Sequence, residues 1–285
     1  MPAFLFFPEK NDEFKNEEKK HMKNRIIALI MTIFCGLSIC ACGSENTVAK
    51  ASGSHELLHE GKLVVGTNAA FPPFEYIGDD GKPDGFDIAL IKAIGDELGL
   101  EVEIQDMEFD SLVASIGSKI DVSIAGMTIT EERKNAVDFS DSYYDAVQYV
   151  LVPNGSEIKG YDDLKGKKIG SQMGTTGDFI SEDIKAEDDS TTISTYDKAL
   201  DAVNDLVNGR VDAVILDKNP AEVFAGQYDE VSALDGNDFG FEPEKYAIAL
   251  SKGNTALGGK INGALKTLKE NGTYDELIKK YIEAE

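Results

Sequence analysis

From Lys62 onward the chain alternates short apolar runs of strand length with longer amphipathic stretches of helix length, and this alternation limits the fold more than any other feature. Leu63-Val64-Val65 and Val102-Glu103-Ile104 read as strands, with Phe86-Asp87-Ile88 opening a helix that runs to Leu98 between them. Its apolar residues Ile88, Leu90, Ile91, Ile94 and Leu98 fall mainly on one face. A hairpin-free order of strand and helix implies parallel strands joined by crossover helices, and hence an α/β fold. Asn68 to Tyr76 reads as a stiff loop held by two prolines, and 78–85 as a solvated acidic turn whose spacing does not match a calcium loop.

The pattern then repeats. A long apolar strand over 147–152 leads to a second unit, with a strand at 168–171, a loop at 172–177, a helix from Asp178, a helix at 198–208 and a strand at 211–216 ending in Asp217. A strand at 247–250 and two final helices complete the chain. Two similar units with a returning tail predict two lobes, 61–146 with 246–285 and 147–245, joined by crossings near 145–150 and 241–247.

Within the first unit, residues 119–125 read as a short buried strand that Gly126 ends. Thr130-Glu131-Glu132-Arg133 follows with hydroxyl-then-acid capping chemistry. Polar groups are thereby gathered at a strand's carboxyl end, the edge where ligands sit in open α/β sheets. Arg133 is one of two arginines after residue 60, and a guanidinium matches a carboxylate through two parallel hydrogen bonds. Pairing with Glu131 or Glu132 on the surface is its other reading.

All three cysteines (Cys35, Cys40, Cys42) and all three histidines (His21, His55, His59) precede residue 60. A thiol nucleophile, an imidazole base, a Ser/His/Asp triad and a thiolate or histidine zinc site are therefore excluded from the folded region, as are disulfides. No cofactor or metal is expected. The formal charge of -24, carried almost wholly after residue 60, argues against nucleic acid.

The stretch Ala125-Gly126-Met127-Thr128-Ile129-Thr130, with Arg133 and then Asp138-Phe139-Ser140 and Tyr143-Tyr144, resembles the amino-acid-binding solute receptors of bacterial ABC importers, the family 3 extracellular solute-binding proteins. Gly85-Phe86-Asp87-Ile88, with Asp87 read as structural, and Asn271-Gly272-Thr273-Tyr274 resemble further motifs of that family. The resemblance covers residues 61–285. It implies two lobes of the periplasmic-binding-protein type II plan, each a mainly parallel sheet flanked by helices, with a two-strand hinge and a free amino acid between them. It also implies the site. Arg133 would clamp the ligand carboxylate, helped by the Thr128 hydroxyl and the backbone amides of Thr175 and Thr176 at a helix N-terminus. The Gly126 carbonyl beside Ala125, the Thr128 hydroxyl and the Asp217 carboxylate would hold the ammonium, although Asp217 also reads as a helix N-cap. Phe71 and Phe109 match the aromatic walls, and as isolated aromatics they also read as core.

Asn68 and Gln172 occupy positions where relatives read the ligand's distal end. Two neutral amides cannot neutralise a buried charge, so an acidic side chain is expected to bind worst. A glutamine-like or a basic amino acid is expected, and a basic one needs a further carboxylate such as Asp110 or Glu75. An enzyme on the same fold, related to the dehydratases, would need Asp, Glu or Lys as its proton donor, and no catalytic residue is assigned. A sensor ectodomain would need a separate partner.

The run 26–41 is apolar and follows Lys19, Lys20, Lys23 and Arg25, as an export signal does. It ends in Ile39-Cys40-Ala41-Cys42, which resembles a lipoprotein processing site with Cys42 as the lipidated residue; an uncleaved anchor helix is the other reading. Residues 1–42 are thus expected to be leader and signal, with Met22 as a start that fits better than Met1, and 43–60 a flexible tether. The expected protein is an exported, membrane-anchored monomer that serves an ABC permease and its ATPase.

Overall fold

The computed structural model describes residues 57–283, so the leader, Cys42 and most of the expected tether lie outside the described residues. The tether expectation is too long at its end. Leu58 N–H donates to the Asp121 carboxylate at 2.6 Å, and Leu57 packs against the core, so residues 57–60 are tied down.

The strands in chain order are β1 (Lys62–Thr67), β2 (Ala70–Phe71), β3 (Glu75–Ile77), β4 (Pro83–Asp84), β5 (Glu101–Asp106), β6 (Val122–Ser123), β7 (Val137–Phe139), β8 (Tyr144–Ala146), β9 (Gln148–Pro153), β10 (Lys168–Gln172), β11 (Thr192–Tyr196), β12 (Ala213–Asp217), β13 (Val231–Leu234), β14 (Glu244–Tyr246) and β15 (Ala249–Ser251). The helices are α1 (Phe86–Leu98), α2 (Phe109–Ser115), α3 (Glu131–Ala136), α4 (Thr176–Glu187), α5 (Ala199–Val207), α6 (Lys218–Gln227), α7 (Thr255–Glu270) and α8 (Thr273–Tyr281).

Two five-stranded sheets share one plan. The first runs β5-β1-β6-β15-β7 and the second β11-β10-β12-β9-β13. In each, the first three strands are parallel and the fourth runs against its neighbours. That reversed strand is in both cases the one that follows a crossing: β9 comes after β8, and β15 after β14. The crossings themselves pair antiparallel, with Glu244 opposite Ala146 and Tyr246 opposite Tyr144. The hairpin-free expectation fails at one place, because β2, β3 and β4 form a small antiparallel meander where a loop and a turn were expected. Its turn closes through Gly78 N–H to Lys82 O at 2.8 Å.

Both sheets are covered on both faces, as parallel strands require. Leu63 and Val65 of β1 point into one apolar layer with Leu90, Ile91 and Ile94 of α1, while Val64 points into the other with Leu112 and Ile120. Val214 and Leu216 of β12 likewise face one layer, and Ala213 and Ile215 the opposite one. Burial of these side chains at about 25 cal/mol per Å² makes the sheets the rigid parts from which the site loops project.

Candidate ligand-binding site

The carboxyl ends of β1, β6, β10 and β12 converge on one narrow cavity. Its wall contains Asn68, Phe71, Phe109, Ala125, Gly126, Thr128, Arg133, Gln172, Thr175, Thr176 and Asp217, every side-chain position singled out from sequence. It also contains Glu75. Asp110, the other carboxylate considered, is exposed near Gly174 outside this wall.

The strand expected over 119–125 is confined to β6, and Gly126 lies in the loop three residues beyond it at φ 53. A Cβ there would stand 3.0 Å from the Phe71 ring, so a side chain would both strain the backbone and displace the aromatic wall. The loop is pinned from below. Gly126 N–H donates to the Asp87 carboxylate at 2.8 Å and Tyr143 Oη donates to the same oxygen at 2.7 Å. Burial raises the Asp87 carboxyl to about 6 against those two donors.

Arg133 sits in the first turn of α3, where the Thr130 hydroxyl caps its backbone amide at 3.1 Å. Its side chain turns inward and is 7% exposed. Nη1 donates to Thr128 O at 2.6 Å, Nη2 donates to Gly174 O at 2.9 Å, and the guanidinium carbon stands 5.3 Å from the Phe109 ring centre. Glu131 pairs with Lys134 instead, so the surface ion-pair reading of Arg133 does not hold. Burial pulls its pKa down, opposed by the charges of Glu244 and Asp217.

Across the cavity, the Thr175 hydroxyl caps α4 by accepting from Asp178 N–H at 3.2 Å and donates to Gln172 O at 2.7 Å. The two amides expected to serve an anion are not equivalent. Thr175 N–H turns back onto Gln172 O at 3.3 Å, whereas Thr176 N–H meets no protein acceptor among the described residues.

Asp217 closes β12 and precedes α6, yet its side chain makes no cap bond. It accepts from the Tyr246 hydroxyl instead. Burial, and then the nearby Glu244 carboxylate, push Asp217 up to about 7. Asn68 and Gln172 bond to each other, Gln172 Nε2 donating to Asn68 Oδ1 at 2.9 Å. The same nitrogen donates to Asp197 O, and Asn68 Nδ2 donates to Met107 O, each at 2.9 Å. The Gln172 Oε1 carbonyl is left as an acceptor.

Glu75 is the one of the two carboxylates considered for a basic side chain that reaches the wall. It is 1% exposed, and neither carboxyl oxygen meets a hydrogen-bond donor among the described residues. Burial, followed by the charge of the neighbouring Asp87, raises its pKa well above the carboxylate range. Glu244 is the residue that the sequence reading missed. Its Oε2 accepts from Thr128 Oγ1 at 2.5 Å, Thr176 Oγ1 at 2.9 Å and Gln148 Nε2 at 3.4 Å. No sequence motif surrounds it; its one signal was its position in the expected crossing at 241–247.

The arrangement offers one cation and one free amide at one end, and carboxylates and carbonyls elsewhere, which is what a zwitterion with a further polar group requires. Comparison with known proteins agrees with the motifs. The chain is 34% identical over 265 residues to the arginine-binding extracellular protein ArtP of Bacillus subtilis, covering 93% of this chain and all of that protein. Among solved structures it is similar to an ancestral arginine-binding protein bound to arginine, with 42% identity, a TM-score of 0.73, and 78% of this chain and 98% of that chain covered. An ancestral arginine-binding protein bound to glutamine is as similar, at 43% identity and a TM-score of 0.73, with 79% and 99% covered. Residues 63–284 match the model of the bacterial extracellular solute-binding proteins, family 3, and the chain belongs to that family.

Proposed function

We propose that the protein captures a free basic amino acid, arginine foremost, between its two sheets and delivers it to an ABC permease and its ATPase. Arg133 and the Thr176 amide hold the ligand carboxylate. Asp217 and the Gly126 carbonyl hold the ammonium, and the side chain runs between Phe71 and Phe109 towards Asn68, Gln172 and Glu75. The observation that carries the choice is Glu75, a buried carboxyl in the cavity wall with no donor. Burial beside Asp87 holds this carboxyl in its neutral form, and a guanidinium, which supplies several N–H groups at once, gives it the partner with which it can ionise. Among the described residues Arg133 is the one cation in the cavity wall, which also holds the carboxyls of Asp217 and Glu75. A ligand with a second positive group therefore supplies the partner that either carboxyl needs in order to ionise.

Glutamine is the second reading, favoured by the amide pair Asn68 and Gln172. A thermal-shift panel of amino acids on residues 43–285, after unfolding and refolding to strip bound ligand, separates the two by mass action. Arginine, lysine or histidine should raise the midpoint most, glutamine less, and glutamate not at all; the highest shift with glutamine overturns the basic reading. Export and anchoring through a lipid on Cys42 complete the proposal, and Cys42→Ala should abolish incorporation of a palmitate analogue.

A further inference from the structure

Glu244 does not line the cavity. It stands behind the wall, at the start of β14, and its Oε2 is the meeting point of three donors from separate parts of the fold. Thr128 belongs to the loop after β6, Thr176 to the N-terminus of α4, and Gln148 to the first residue of β9. Gln148 Nε2 also donates to Thr176 Oγ1 at 3.0 Å.

These contacts decide where two hydroxyl protons point. A threonine hydroxyl has one proton and can accept at its lone pairs. Thr176 Oγ1 receives a proton from the Gln148 amide, so its own proton goes to Glu244. Thr128 has the same carboxylate oxygen at 2.5 Å, and its proton goes there too. Both threonines lie in the cavity wall. With the protons drawn backward, the oxygens present lone pairs forward.

We propose that Glu244 is a positioning residue that turns the hydroxyls of Thr128 and Thr176 into acceptors for the ligand's ammonium. This rests on the reading that the cavity takes a free α-amino acid, and it assigns Thr128 to the ammonium alone, where the sequence had allowed it to help the carboxylate as well. Because one threonine stands on each side of the cleft, the same oxygen sets the polarity of both walls together.

The test compares arginine with 5-guanidinopentanoate, which lacks the α-ammonium, by calorimetry or, where binding is weak, by NMR titration, on wild type and Glu244→Gln. The variant should bind arginine on the order of tenfold more weakly and the des-amino compound within about twofold of wild type. Equal weakening of both compounds, or no change in either, overturns the proposal, because a purely structural or closing role makes no distinction between them. If Glu244→Gln does not fold, Glu244→Asp keeps the charge and loses the reach, and the same selective loss is expected. Should wild type bind no basic amino acid, the basic reading fails by itself; the ratio is then measured with the amino acid the panel identifies and its des-amino analogue.

Discussion

The two sheets have the same strand order, yet equivalent strand ends carry different equipment. The second strand of each sheet leads to an amide, Asn68 after β1 and Gln172 ending β10, and the two amides bond across the cavity at 2.9 Å. Each third strand leads to an acceptor, but β6 offers the Gly126 backbone beside an inward-turned arginine, while β12 offers the Asp217 side chain. The fixed cation thus comes from the first side, and the helix N-terminus from the second. On the proposed reading neither side alone satisfies a zwitterion, since carboxylate and ammonium each need one group from either wall. On the same reading, a repeated scaffold gains selectivity through unlike residues at like positions.

Removing the first side's cation should break this complementarity most. Arg133→Ala should cost on the order of 3 kcal/mol of arginine binding by calorimetry, because a desolvated carboxylate loses its partner, while the circular dichroism spectrum keeps its shape. Unchanged affinity would show that the clamp lies elsewhere.

Asp217→Asn strikes the second side. Loss of the charged acceptor should lower affinity by about 2 kcal/mol, and the ligand-free midpoint at pH 8 should rise, since a carboxyl raised to about 7 by burial costs stability where it is ionised. Both changes are read in one thermal-shift titration, and an unchanged affinity would remove Asp217 from the ammonium site.

Glu75→Gln sharpens the comparison without touching either pole of the zwitterion. Arginine affinity should fall by about 1.5 kcal/mol, with glutamine affinity unchanged or higher, measured as a ratio of dissociation constants. Equal loss for both ligands would make Glu75 structural.

The smallest effect is the pH slope. Asp217 near 7 and Asp87 near 6 both lie above their ordinary values, so the folded protein holds more protons than the unfolded chain between about pH 4 and pH 7. The stability that these two groups contribute is therefore fully present below about pH 4 and lost as pH rises through 7, while saturating arginine, which gives Asp217 an ammonium partner, should flatten that loss. The difference in midpoint between wild type and Asp217→Asn isolates this contribution, and a difference that does not change between about pH 5 and pH 8 would contradict the environment described for Asp217.

The sequence alone determined the repeated α/β units, because the 2.0 and 3.6 periods of burial are local properties, and α1 begins and ends where its apolar face and Gly99 say it should. Position at a strand's carboxyl end was equally local for Gly126 and Asp217, whereas the grouping of these with Arg133 and Gln172 round one cavity came from the family resemblance. The meander over 70–84 was not legible, since short strands of two or three residues carry no period to read. Partnership was left to tertiary structure. The sequence offered Asp110 and Glu75 as equal candidates, and only folding buries Glu75 in the wall and leaves Asp110 exposed; Glu244 has no neighbour of interest within its own stretch. Thr128, Thr176 and Gln148, its three donors, lie between 68 and 116 residues away along the chain. Which proton a hydroxyl gives, and whether Thr175 or Thr176 keeps a free amide, depends on distances between residues that only folding brings together.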